Sequence, residues 1–358
     1  MSSNRTGDSP AQHRRPSRRR LLTAAAGVLA GTGGLTAVHA ASGAPVDPRT
    51  GFAGSRPDSA VPGAGGARVV GEEWADSRTV DLRIASPAAG RTLPVRVLLP
   101  TDRRRHPDHT WPVLHLLQGA HDTYTSWTRE TGIESFTRGK DLITVMPESG
   151  KTGIPTDWWH GGRGGEDYET FHADEVMAVL RHRFRAAGPR VVAGVSTGGY
   201  GALALAARRP GTFAAAASYS GLPHTRLTGV PSLLSAIVAR ELAAPSSLWG
   251  NPVLQHRNWA AHDPYTQARA LRGTPLYVSA GTGLLGGGDS TDPPDGRILE
   301  SSVWPANKSF ADRLERLGIP ATVHLYRGGA HAWPYWEREF RASWPLLAGG
   351  LGLSGHPE

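Results

Sequence analysis

The sequence predicts an α/β fold: a mostly parallel central sheet covered by helices on both faces. Three observations carry this. Short β-branched and apolar runs alternate along the chain with segments of helical periodicity, the rhythm of a sheet wound with crossover helices. The runs Trp111–Leu117 and Pro275–Ala280 are apolar nearly throughout, as strands covered on both faces must be. And Val191-Val192-Ala193-Gly194-Val195-Ser196-Thr197-Gly198-Gly199 reads as a strand, a sharp turn and the start of a helix, with a serine at the apex.

The 358 residues begin with Ser17-Arg18-Arg19-Arg20-Leu21-Leu22, a twin-arginine pattern, followed by an apolar stretch of small residues that closes on Val38-His39-Ala40. Residues 1–40 therefore read as an export signal of the twin-arginine type with a cleavage site. Glycines interrupt the apolar part, which makes it a poor permanent membrane span. The net charge of +8 belongs mostly to this leader; the remainder carries 33 basic and 30 acidic residues, so the charge is no argument for a nucleic-acid partner. There is no cysteine, which excludes a thiol nucleophile and thiolate metal ligands. Residues 41–68, rich in Gly, Pro, Ala and Ser without periodicity, read as a disordered linker. Residues 69–352 are long enough for one large α/β domain.

Within that domain the alternation of Val80–Ile84 and of Leu93–Leu99 predicts an antiparallel hairpin. Trp111–Leu117 and Leu142–Met146 are the next strands. Tyr168–Phe184 has Phe171, Val176, Val179, Leu180 and Phe184 at helical spacing. The serine turn is followed by helix formers over Ala202–Arg208 and a strand over Phe213–Ser218. Residues 221–273 break the rhythm, with one helix at Leu233–Leu242, and read as an insertion that caps or walls the site. A strand at Pro275–Ala280, a helix at Ala306–Leu317, a strand at Ala321–Arg327 and a helix at Trp333–Leu347 complete the chain.

Gly194-Val195-Ser196-Thr197-Gly198 has the form of a nucleophile elbow, in which glycines two residues either side make room for a strained turn that exposes the serine hydroxyl. The Thr197 N–H, at a helix N-terminus, is one candidate donor to a developing oxyanion. The second is the Ala120 N–H, in the loop Gln118-Gly119-Ala120-His121-Asp122 after the Trp111–Leu117 strand. A base is expected in the loop after the last strand, where His331 is the one histidine of Gly328-Gly329-Ala330-His331-Ala332-Trp333. The orienting acid is expected between the serine and the histidine, soon after the Pro275–Ala280 strand. Asp289, Asp292, Asp295 and Glu300 all qualify. Asp157, Trp158 and Trp159 sit on a loop where tryptophans could line a groove as well as pack.

These pieces resemble the secreted esterases that include the antigen 85 mycolyltransferases, of α/β-hydrolase fold, over roughly residues 75–348. The matching segments are Leu117-Gln118-Gly119-Ala120, Gly194 through Gly199, Leu299-Glu300 and His331-Ala332-Trp333-Pro334-Tyr335-Trp336. The resemblance implies Ser196, Glu300 and His331 as the catalytic set, with Glu300 taking the place of the aspartates. It supports Ala120 and Thr197 as oxyanion donors. Gln118, His121, Trp158 and Trp333 are the expected substrate contacts. The mycolyltransferases have Asp-Gly-Leu-Arg where this chain has Gln118-Gly119-Ala120-His121, and they contact trehalose through that aspartate and arginine. Trehalose is therefore expected to be a poor acceptor. The reading is an exported serine esterase needing no metal or organic cofactor and acting on a small-molecule, lipid or sugar ester. An acyltransferase and a catalytically silent binding protein are its rivals.

Overall fold

The computed structural model describes residues 61–63, 65–284 and 292–353. The leader, most of the linker and Asp289 lie outside the described residues. A nine-stranded sheet organises the chain, in the order β1-β2-β3-β5-β4-β6-β7-β8-β9. β1 (Arg68–Trp74), β2 (Thr79–Ser86) and β3 (Arg91–Leu98) form an antiparallel meander. β3 pairs antiparallel with β5 (Ile143–Pro147). From there β5, β4 (Trp111–Leu117), β6 (Ala186–Val195), β7 (Ala215–Tyr219), β8 (Leu276–Gly281) and β9 (Thr322–Tyr326) are all parallel.

The helices follow the strands in turn. α1 (Ser126–Glu130) and α2 (Ile133–Phe136) come after β4. α3 (Tyr168–Thr170), a wider π-helical turn (Phe171–Glu175) and α4 (Val176–Phe184) come after β5. α5 (Thr197–Arg208) follows β6. α6 (Val230–Arg240), α7 (His256–Ala261) and α8 (Pro264–Gln267) lie between β7 and β8. α9 (Pro294–Arg316) follows β8, and α10 (Trp333–Leu351) follows β9.

The period-2 alternation of the strands sorts these helices onto two faces. Leu114 and Leu116 of β4 and Val191, Ala193 and Val195 of β6 pack against Trp127, Ile133, Phe136, Phe340, Trp344 and Leu347 of α1, α2 and α10. On the opposite face Leu117, Val192, Ala216, Leu276 and Val278 meet Leu203, Leu205 and Ala206 of α5 and Phe310 and Leu314 of α9. Every residue of α5 from Thr197 to Ala207 is buried. It has the sheet on one side and α8 on the other, which explains why its sequence is mostly Ala, Gly and Leu.

Some boundaries differ from the sequence expectation. The packed chain starts before residue 69: Val61 and Ala67 are buried, the Val61 N–H donates to the Ala67 carbonyl, and Arg68 opens β1. That strand has no strict alternation, being broken by an irregularity between Val69 and Gly71. α5 starts at Thr197, the helix N-terminus that the sequence places there, and the glycines that open it are held by tertiary contacts and not by propensity. α9 starts at Pro294 rather than Ala306 and carries Pro305 inside it. A proline there removes one helical hydrogen bond at a cost of about 3 kcal/mol. Burial of Glu300, Val303, Ala306, Asn307 and Phe310 on one side of the helix offsets it.

The insertion is tied down at several points. Thr225 donates its N–H and hydroxyl to Asp263, and the Trp159 N–H donates to the Leu248 carbonyl at 2.9 Å. His262, stacked on Trp249, lies 2.6 Å from Asp157. Burial works to raise the Asp157 pKa, yet His262 and Arg208 together hold it down to about 2.

His172, in the π-helical turn, is fully buried, with Nε2 at 3.2 Å from the Ser149 hydroxyl and from the Glu148 carbonyl. Burial lowers its pKa from 6.5 to about 4. The folded chain holds this ring neutral down to that pH, whereas an unfolded chain protonates near 6.5. Its stabilisation is thus complete well above pH 6.5 and is lost as pH falls toward 4, by which point the loss amounts to about 3 kcal/mol. Urea titrations at pH 7 and pH 4 are expected to show His172→Gln losing less stability over that interval than the parent chain, even though it starts lower. Equal losses would mean that His172 does not titrate this way.

Candidate active site

Four loops leaving the C-terminal ends of parallel strands converge at one place, the position where sheets of this kind bind ligands. They follow β4, β6, β8 and β9. Ser196 sits between β6 and α5 at φ 54°, ψ −121°, a conformation that costs a non-glycine residue about 1–3 kcal/mol. The surroundings enforce it. A Cβ on Gly194 would lie 2.2 Å from the Gly198 carbonyl oxygen, and one on Gly198 would lie 2.3 Å from the Gln118 carbonyl oxygen. The Ser196 N–H donates to the Tyr219 carbonyl at 2.9 Å, and the Tyr200 N–H to the Ser196 carbonyl at 3.0 Å.

The structure brings Ser196, His331 and Glu300 into one line. His331 Nε2 lies 2.9 Å from Ser196 Oγ, and its Nδ1 lies 2.9 Å from Glu300 Oε2. The ring is oriented by the His331 N–H, which donates to the Gly296 carbonyl at 2.9 Å, and by the Trp336 indole, edge-on at 4.9 Å. Glu300 is wholly buried, in the second turn of α9. Its Oε1 accepts from the Ser220 hydroxyl at 2.8 Å and from the Gly281 N–H at 2.6 Å. Trp336 Nε1–H in turn donates to Ser220 at 3.1 Å. With Glu300 ionised and its second oxygen facing Nδ1, that nitrogen carries the hydrogen and Nε2 is left to accept from serine. Ser220 and Gly281 are functional neighbours that sequence reasoning missed. The available signal was their place at the ends of β7 and β8, directly beside the elbow strand and the acid.

The rival acids are elsewhere. Asp292 accepts a hydrogen bond from the Tyr335 hydroxyl, and Asp295 is exposed in the first turn of α9. Asp289 lies outside the described residues. Among the described residues the Ala120 and Thr197 N–H groups have no hydrogen-bond acceptor.

The expected substrate contacts fare differently. Gln118 is buried, and its Nε2 donates to Glu148 Oε1 at 2.8 Å and to the Asp122 carbonyl at 2.9 Å. It is an internal brace of the loop after β4, not a substrate contact, because the amide is shut off from solvent. Trp158 is likewise a core residue, buried with its ring stacked near His160 at 5.8 Å. His121 reaches the surface, but its Nδ1 is taken by Glu241, at the C-terminal end of α6 in the insertion. Trp333 is partly exposed at the start of α10, edge-on to Trp336 at 5.2 Å. It remains on the His331 side of the site. Among the described residues there is no group of three His, Asp or Glu side chains arranged to hold a metal ion, and no helix long and apolar enough to cross a membrane.

The chain is similar to known proteins in sequence and in fold. The sequence profile of the Esterase family matches residues 86–347. The chain is 31% identical over 275 residues to Esterase Rv1288 of Mycobacterium tuberculosis, an alignment covering 74% of this chain and 58% of that protein's length. It is 29% identical over 283 residues to the diacylglycerol acyltransferase/mycolyltransferase Ag85B of Mycobacterium leprae, covering 75% of this chain and 83% of that one. Among solved structures, Mycobacterium tuberculosis MPT51 superposes with a TM-score of 0.63 at 24% identity, over 77% of this chain and all of that one. A ferulic acid esterase superposes with a TM-score of 0.57 at 21% identity, over 77% and 98%.

Proposed function

The chain belongs to the Esterase family and has the α/β-hydrolase fold, and on that premise we propose that it is a serine carboxylic-ester hydrolase working through an acyl-enzyme on Ser196. The observation that carries this is the relay Ser196–His331–Glu300, with both hydrogen bonds at 2.9 Å, on loops that also carry the unengaged backbone N–H groups of Ala120 and Thr197.

The steps follow from those distances. Ser196 Oγ attacks the ester carbonyl carbon while its proton passes to His331 Nε2. Glu300, accepting from Nδ1–H, stabilises the imidazolium and fixes the tautomer. The carbonyl oxygen, now an anion, is held by the N–H groups of Ala120 and Thr197. The C–O bond to the alcohol breaks as Nε2 returns the proton to the leaving oxygen, which leaves the acyl group on Ser196. Water then gives a proton to Nε2, attacks the acyl carbon and releases the acid, restoring the serine hydroxyl. None of these steps draws on a metal or an organic cofactor.

Transfer to an alcohol shares every step up to the acyl-enzyme, and a relative named as an acyltransferase keeps that reading alive. Two features favour water. Gln118 Nε2 and His121 Nδ1, beside the oxyanion loop, are both engaged by the protein itself, and Gln118 Oε1 is buried. An acceptor sugar needs fixed polar groups there to compete with water at about 55 M. For the site of action, the Arg18-Arg19 leader, outside the described residues, supports export through the twin-arginine route. The substrate would then be an ester met outside the cytoplasm or in the cell envelope.

Ser196→Ala and His331→Ala are each expected to lower kcat on p-nitrophenyl esters by on the order of 10⁴ to 10⁶ while the fold persists. Glu300→Gln should cost far more than Asp289→Asn, Asp292→Asn or Asp295→Asn; a larger loss at any of those aspartates would return the acid to it. A Ser196→Ala variant retaining a tenth of the activity would remove the mechanism altogether. Product analysis with an acyl ester donor, with and without excess trehalose, is expected to give free acid as the main product. Acyl-trehalose forming faster than acid would replace hydrolysis by transfer. Changing Arg18 and Arg19 together to Lys should hold the precursor in the cytoplasm, as seen by cell fractionation, and unimpaired secretion would exclude the twin-arginine route.

A further inference from the structure

We infer that the loop after β5, Glu148–Gly153, aims the Ala120 N–H, and that Gly153 is the positioning residue of the oxyanion site. This rests on the hydrolase reading above and deepens it. The argument starts from one peptide unit. In a trans peptide the carbonyl of Gly119 and the N–H of Ala120 point in opposite directions, so whatever fixes the one fixes the other.

The Gly119 carbonyl is lodged against Gly153. A Cβ on Gly153 would lie 2.3 Å from the Gly119 oxygen and 2.5 Å from its carbonyl carbon, inside any permitted contact. It would also lie 2.8 Å from Thr197 Oγ1, in the residue that carries the other donor. Gly153 has φ +59°, which a side chain rarely adopts. The same segment also runs close to the nucleophile, since a Cβ on Gly119 would lie 3.3 Å from Ser196 Cβ. The Gly119–Ala120 peptide thus packs closely against both Gly153 and Ser196. Adding even a methyl group at 153 must displace the Gly119 carbonyl, and the Ala120 N–H turns with it.

The rest of the Glu148–Gly153 loop holds the flanks of the same segment. Gln118 Nε2 donates to Glu148 Oε1 at 2.8 Å and to the Gly150 carbonyl at 3.2 Å. The Tyr124 N–H donates to Glu148 Oε2 at 3.1 Å. The His121 N–H donates to the Lys151 carbonyl at 2.7 Å. Residues 118, 121 and 124 are therefore fixed to one neighbouring loop, which itself folds back through a Gly153 N–H to Gly150 carbonyl bond of 2.9 Å. Gly153 acts through the Ala120 peptide rather than on the substrate.

The test compares an oxygen ester with its thionoester counterpart, p-nitrophenyl butyrate and the C=S analogue. Sulfur is a weak hydrogen-bond acceptor, so the thionoester draws little from the oxyanion donors. In Gly153→Ala, kcat on the oxygen ester is expected to fall about 10²-fold, the loss typical of one oxyanion donor, with KM within about threefold. The thionoester is expected to lose less than about tenfold, so the ratio of the two shrinks. A general loosening of the fold lowers both alike. Glu148→Gln, which removes one carboxylate acceptor from Gln118 or Tyr124, carries the same test should the Gly153 variant not fold, with a smaller narrowing of the ratio. An unchanged ratio in the folded variant overturns the inference. If the parent chain neither hydrolyses the oxygen ester nor takes a fluorophosphonate label on Ser196, the hydrolase reading itself has failed.

Discussion

The left-handed turn at Ser196 exists because two carbonyl groups occupy the volumes where side chains of Gly194 and Gly198 would stand. Remove that crowding and nothing local keeps a serine at φ 54°. The strain is carried by the most deeply packed part of the molecule: β6 is flanked by β4 and β7, and α5 is buried along its length. A serine hydroxyl fixed at the C-terminal end of the sheet, nearly buried and within reach of His331, is the result. The placement of the other groups follows from that fixed point, since each comes from a loop leaving a neighbouring strand of the same sheet.

The acid shows how burial and hydrogen bonding cooperate. A wholly buried carboxylate is costly unless its oxygens are satisfied. Glu300 has the Ser220 hydroxyl and the Gly281 N–H on one oxygen and His331 on the other. The two fixed donors leave a single direction in which it can serve the histidine. Trp336 closes the arrangement by donating to Ser220 and laying its ring edge-on against His331. One aromatic side chain thereby restrains both ends of the relay.

Around this rigid centre the insertion and the loop after β5 form an outer layer. His262 and Asp157 tie α7 to the loop that carries Trp158, while Glu241 reaches His121 beside the oxyanion segment.

The alternating apolar runs and the Gly-x-Ser-x-Gly turn determined, by themselves, the sheet with its helices and the serine at its centre. Both are written in short stretches whose physics is local: strand burial and the steric demand of one turn. The late Gly-Gly-Ala-His loop was legible for the same reason. The acid was not, because residue spacing left three aspartates and Glu300 equivalent, and only a resemblance favoured the glutamate. Tertiary structure places Glu300 inside a helix whose start was hidden behind Pro305, within hydrogen-bond reach of His331 and of donors at the ends of β7 and β8. The same holds for Gln118, which looked like a ligand contact and proved a buried brace, and for Gly153, whose importance lies in a carbonyl 34 residues away. Contacts between segments distant in sequence leave no periodicity to read; they appear only once the sheet has brought the loop ends together.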